Sequence, residues 1–168
     1  MLKTEGIEFN AVFARFGAAV QYAQFFEVAL GDLLVTFAKI GEVPPSVEEI
    51  GRLDEALQKK TLGALLNRLA SKASFSDDRV TTLWAEALTT RNFLAHRFFI
   101  ERESHFGDEA GRRGLLNELT RYEQIFAAAA TLVRVINDAA SRIISGTREA
   151  PEDSQVLFSV TIGKRKDE

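Results

Sequence analysis

The chain has no cysteine, three prolines in 168 residues, and no uninterrupted apolar run long enough to cross a bilayer. The first absence excludes a disulfide framework, a thiolate metal site and a cysteine nucleophile. The scarcity of proline leaves long helices unbroken. The third absence argues against a spanning helix, which needs about 20 apolar residues. A charge excess of one sign is missing too: 21 Lys and Arg against 24 Asp and Glu leave a net charge of −3. The whole-chain field therefore does not recruit nucleic acid, and any such site must be a local patch. The GxxxxGK phosphate loop, the HExxH zinc helix and the GxSxG nucleophile turn are absent as well. The N-terminus, MLKTEGIEF, lacks the apolar stretch of a signal peptide, which leads us to expect a cytoplasmic protein.

What is present is an ordinary globular mixture, 46% hydrophobic and 27% charged, with thirteen phenylalanines. Its length fits one domain with a real core. From Phe9 to Ile40, Phe9, Phe13, Phe16, Val20, Ala23, Phe26, Leu30, Leu33, Phe37 and Ile40 recur at helical steps. Val12, Phe25 and Leu34 widen the stripe enough to touch more than one neighbour. GEVPPS ends this helix, and Ser46 with Glu49 predicts a capping box for the next. Leu53 and Leu57 point away from Leu62, Leu65, Leu66 and Leu69 on one continuous helix, so either a break falls at 59–61 or the helix is buried on two sides. SKASFSDD is the next break, with Ser76 as the expected N-cap of a third main helix over 77–99. ERESHFGDEAGRRG reads as a loop or frayed start. A last helix carries Leu115, Leu119, Tyr122, Phe126, Ala129, Val133, Ile136, Ala140 and Ile143, and stops at Gly146. We expect an all-α fold, a four-helix-type up-down bundle over 1–147, followed by a tail over 148–168. In that tail, QVLFSVTI alternates with period two and predicts a short C-terminal β-strand over 155–162. No second strand is evident, so either the same strand of another subunit pairs with it or the tail docks loosely.

One short stretch breaks the apolar pattern. In the third helix the seam runs Val80, Trp84, Ala87, Arg91, Leu94, Phe98, and position 91 should be apolar. A buried arginine needs a partner, and Glu27 and Glu86 are the candidates. His96 lies about 140° round from Arg91, with Asn92 one turn before it on nearly the same face. Taken singly, these residues read as a snorkelling or paired arginine and a satisfied interior histidine. Taken together they offer acid–base and anion-binding chemistry. Imidazole, with an ordinary pKa of about 6.5, can be base or acid near neutrality. Guanidinium can hold a phosphate through two N–H groups.

The segment Arg91-Asn92-Phe93-Leu94-Ala95-His96 resembles the R-x4–6-H motif of the HEPN superfamily, in its RNxxxH form. That resemblance implies a helical, usually homodimeric bundle acting as a metal-independent endoribonuclease with no cofactor, in a toxin–antitoxin or phage-defence setting. It implies Arg91, Asn92 and His96 as the catalytic residues, RNA as substrate, and a protein or nucleotidyltransferase antitoxin as partner, with no membrane. The tail strand is not a general feature of that superfamily. The alternative is a non-catalytic HEPN-like module that binds a nucleotide, RNA or a protein. Arg97 and Arg102 would extend a positive rim or be ordinary solvated arginines. Arg112-Arg113 and Lys164-Arg165-Lys166 read as solvated basic spots. Glu101, Glu103, His105 and Asp108 form an acidic cluster that a solvated loop explains better than a metal. A di-iron site is set aside, because Phe93 and Arg102 stand three residues before the two histidines, where glutamate is needed.

Overall fold

A computed structural model describes residues 4–40 and 44–146, with 4–8 and 158–160 as backbone only. It is mostly helical. Helix α1 spans Thr4–Lys39, α2 Val47–Gln58, α3 Leu62–Ala70, α4 Asp78–His96, the single turn α5 Phe98–Glu101, and α6 Glu109–Ser145. Helices α1 and α6, each about 55 Å long by helical rise, pack along one another, while α2, α3 and α4 lie against α1 and α4 also meets α6.

The core lies between the two long helices. On α1 it follows Val12, Ala19, Ala23, Phe26, Leu30, Leu33 and Phe37, all buried. On α6 it follows Leu115, Leu119, Phe126, Ala129, Val133, Ile136 and Ala140. The expected α6 seam is therefore buried except at Tyr122, which is half-buried, and at Ile143, which is exposed. On α1 the first turns differ from expectation. Val12 is in the core and Phe9 and Phe13 are on the rim, because the buried side of α1 is centred roughly 100° from their line.

Local signals set most boundaries. Ser46 and Glu49 form the reciprocal capping box: the Glu49 N–H donates to Ser46 Oγ at 3.2 Å, and the Ser46 N–H donates to Glu49 Oε2 at 2.8 Å. The chain breaks between α2 and α3, with Thr61 Oγ1 accepting from the Ala64 N–H. Gly146 closes α6 in the left-handed region at φ 71°.

Four boundaries correct the sequence reading. The N-cap of α4 is Asp77, not Ser76; its carboxylate accepts from the Arg79 N–H at 2.9 Å and is also gripped by the Arg79 guanidinium, so two interactions fix it there. Helix α4 ends at His96 rather than 99. Arg97 leaves helical geometry (φ −132°, ψ −20°), and the swing drives Phe98 fully into the core. Residues 101–114 are also more ordered than a loop: a 3₁₀ turn covers Glu103–Phe106, and α6 starts at Glu109 under an Asp108 cap that accepts from the Gly111 N–H at 2.7 Å. Gly111 is required there, since a Cβ would stand 2.3 Å from the His105 carbonyl oxygen. Finally, a strand exists where a break was expected. Ala73–Phe75 (β1) pairs antiparallel with Phe158–Val160 (β2), in the register Ala73 to Val160 and Phe75 to Phe158. Its alternating burial sets Phe75 edge-on against Trp84, with centroids 5.1 Å apart. The rest of the strand expected over 155–162, and the basic spot at 164–166, lie outside the described residues.

Candidate functional site

The motif RNFLAH occupies the last six residues of α4. The helix turns its buried side, Thr90 and Leu94, toward the core. Arg91 stands at the edge of that side, and Asn92 and His96 stand on the solvent side, one turn apart and both exposed. Among the described residues neither of those two side chains makes a hydrogen bond. His96 is thus open to a ligand rather than a satisfied interior histidine.

Arg91 resolves the choice of partner left by the sequence. Its Nε donates to Glu27 Oε1 of α1 at 3.0 Å. Glu86 instead faces Arg121, at 3.5 Å. Anchoring through Nε leaves the two terminal nitrogens of Arg91 without a hydrogen bond among the described residues. Those are the nitrogens that grip an anion two at a time. Arg91 and Glu27 also line a shallow cleft of about 130 Å³ between α1 and α4, with Val20, Gln24, Leu94 and Ala95. The three motif residues therefore share one end of α4, with Arg91 in the cleft and Asn92 and His96 exposed on the solvent side of the helix. Glu27 carries a sequence signal of its own: it lies on the helical line of Phe9, Phe16 and Val20, a carboxylate in an apolar stripe facing an arginine in an apolar seam.

The neighbouring arginines part ways. Arg97 is exposed and reaches Glu101 through Nη2. Arg102 is not a rim residue: it clamps Glu118 of α6, donating from Nε at 2.9 Å and from Nη2 at 2.7 Å. Its guanidinium carbon lies 4.9 Å from the centre of the Phe93 ring. The Tyr122 hydroxyl donates to the same Glu118 oxygen. The Arg102 bonds are the main reason the Glu118 carboxyl titrates below its ordinary range, partial burial opposing and Tyr122 assisting. The Arg102 pKa is raised chiefly by Glu118, and that of Tyr122 chiefly by burial and then by Glu118. Arg112, expected on the surface, is buried, and its Nη1 donates to the Phe106 carbonyl at 2.8 Å.

The acidic cluster does not converge. Glu101 faces Arg97 and Arg102, Asp108 caps α6, and His105 Nδ1 is 3.5 Å from Ser104 Oγ. Among the described residues no group of three or more His, Cys, Asp or Glu side chains is placed to hold a metal ion. Among them, too, no helix is long and apolar enough to cross a membrane. Compared with known proteins, the chain matches no family model, no curated protein and no solved structure.

Proposed function

We propose that the protein is a metal-independent endoribonuclease of the HEPN type, built on a four-helix-type up-down bundle with a C-terminal strand and working as a homodimer. The observation that carries this reading is the end of α4: an exposed imidazole and amide one turn apart, beside an arginine held by Glu27 with its terminal nitrogens free of hydrogen bonds among the described residues. Cleavage needs no external nucleophile, because the RNA carries one. The 2′-hydroxyl oxygen attacks the adjacent phosphorus and the 5′-oxygen leaves, giving a 2′,3′-cyclic phosphate and a 5′-hydroxyl. His96 of one copy takes the 2′-hydroxyl proton, and His96 of a second copy gives a proton to the departing oxygen. Arg91 stabilises the charge that builds on the phosphoryl oxygens. Asn92 orients the imidazole or the strand. The setting we propose is toxin–antitoxin or phage defence, with a protein or nucleotidyltransferase antitoxin.

The test is cleavage of a labelled RNA by the purified chain in EDTA, beside His96→Ala. Cleavage that persists in EDTA, ends in a cyclic phosphate and falls at least about 100-fold in the variant is expected. Equal cleavage by both proteins sinks the proposal. RNA binding without cleavage by either favours the non-catalytic binding module.

A further inference from the structure

Beyond Arg91 and Ala95, the line of the cleft continues toward a cluster of rings. Along α1, Phe9, Phe13, Phe16, Val20, Gln24 and Glu27 fall on one line at steps of three and four. Opposite them stand Arg91 and Ala95 of α4 and then, past the break, Phe99, whose ring meets Phe16 at 4.6 Å and Phe13 at 5.5 Å. One end of this groove is the Arg91–Glu27 pair and the other is aromatic, with Ala95 between them and His96 next to Ala95 in the chain. Phe13 and Phe99 lie near-parallel, 19° apart, and Phe106 backs both. They nevertheless remain 45% and 39% exposed. Half-exposed rings in mutual contact make a contiguous apolar patch of the kind that marks a binding surface.

The occupant has to suit both ends. Arg91, at one end of the groove, engages its carboxylate through Nε alone, so its terminal N–H groups are kept for an anion. A purely apolar partner would leave those groups unanswered. A single nucleic-acid strand answers both, with a phosphate for the Arg91 guanidinium and flat base faces for the rings. A duplex keeps its bases stacked on each other and offers the rings nothing. We propose that Phe13 and Phe99 form a stacking platform for unpaired bases of an RNA strand whose backbone passes Arg91 and His96. The placement of the scissile phosphate rests on the ribonuclease reading; the platform does not.

The test is fluorescence anisotropy with the full chain carrying His96→Ala, so that the strand stays intact. The probes are a short labelled oligouridine, an abasic phosphodiester strand of equal length, and a blunt RNA duplex. Oligouridine should bind most tightly. Phe13→Leu and Phe99→Leu should each weaken it about 5- to 150-fold and leave the abasic strand unchanged. Phe99→Tyr keeps the ring and should bind like its parent, which controls for folding. Equal affinity for oligouridine and abasic strand overturns the platform. So do leucine variants that bind oligouridine like the parent, or that alter only self-association in sedimentation, which would make the patch a contact between copies. Ring-dependent binding by a chain that never cleaves would sink the ribonuclease reading and leave the platform standing; cleavage without ring dependence would do the reverse.

Discussion

Two arginine–glutamate pairs flank the end of α4, at nearly the same depth. Side-chain exposures are 30% and 24% for Arg91 and Glu27, and 27% and 24% for Arg102 and Glu118. Charge and burial do not separate them. The number of hydrogen bonds does. Arg102 engages both oxygens of Glu118, stacks on Phe93, and shares its carboxylate with Tyr122. Arg91 makes one bond. A fork bound through two nitrogens to both oxygens of one carboxylate holds structure together: here it fastens the turn after α4 to α6. A fork anchored by one nitrogen is oriented and still able to bind. The region after His96 is thus a latch, and the region around Arg91 is the candidate site beside it.

The sharpest way to break this contrast is to open the latch without touching a charge. Gly111→Ala sets a Cβ against the His105 carbonyl, where no flexible side chain can yield. We expect a loss of roughly 3 kcal/mol in urea unfolding. A loss under about 0.5 kcal/mol would mean that the 3₁₀ turn is not pinned to α6. The arginines come next. Arg102→Ala removes charge-assisted bonds to a partly buried carboxylate and should cost about 2 kcal/mol. Arg91→Ala breaks one partly exposed bond and should cost about 1 kcal/mol or less. In the cleavage assay the order reverses: Arg91→Ala should lose about 100-fold or more, and Arg102→Ala much less among molecules that stay folded. Equal stability losses, or greater cleavage loss in Arg102→Ala, would erase the distinction between latch and site.

This division marks the limit of what the sequence could say. Helical periodicity exposed both long helices, because their cores need an apolar residue at every turn. Caps were legible where the chemistry is local, as at Ser46 and Gly146. Arg91 stood out because a cation interrupts an apolar seam, and its partner narrowed to two carboxylates for the same reason. The latch was not legible. Arg102, Phe93 and the α6 pair Glu118 and Tyr122 come from separate elements, and the departure of Arg97 from helical geometry lies between Phe93 and Arg102. That break has no proline or glycine to announce it; it follows from burying Phe98, a tertiary effect. The β1 strand was hidden for a related reason. Three residues, Ala73–Phe75, are too few to show a period, and their partner lies far along the chain. Gly111 was visible as a glycine but read as loop chemistry, since the carbonyl that excludes a side chain comes from a neighbouring turn.

Acid supplies the smallest and most selective test of the latch. Unfolded, Glu118 takes up its proton at the ordinary value of about 4.5; folded, its carboxyl titrates lower, chiefly because of the Arg102 hydrogen bonds. Between those two values the unfolded chain binds more protons than the folded one at this residue, so its contribution to stability rises with pH. The contribution is whole above the unfolded value and drains away as pH falls through the folded one. Glu118→Gln cannot titrate and lacks this slope. The stability gap between the native chain and Glu118→Gln, measured by urea midpoints, should be widest near neutrality and should narrow once pH drops below about 4.5. Arg102→Ala should narrow in the same window against its own double variant by much less, because the group that lowers the carboxyl is gone. A gap that stays constant on acidification would mean that Glu118 is not held as the carboxylate, and the two-nitrogen fork that distinguishes the latch from the site would lose its physical basis.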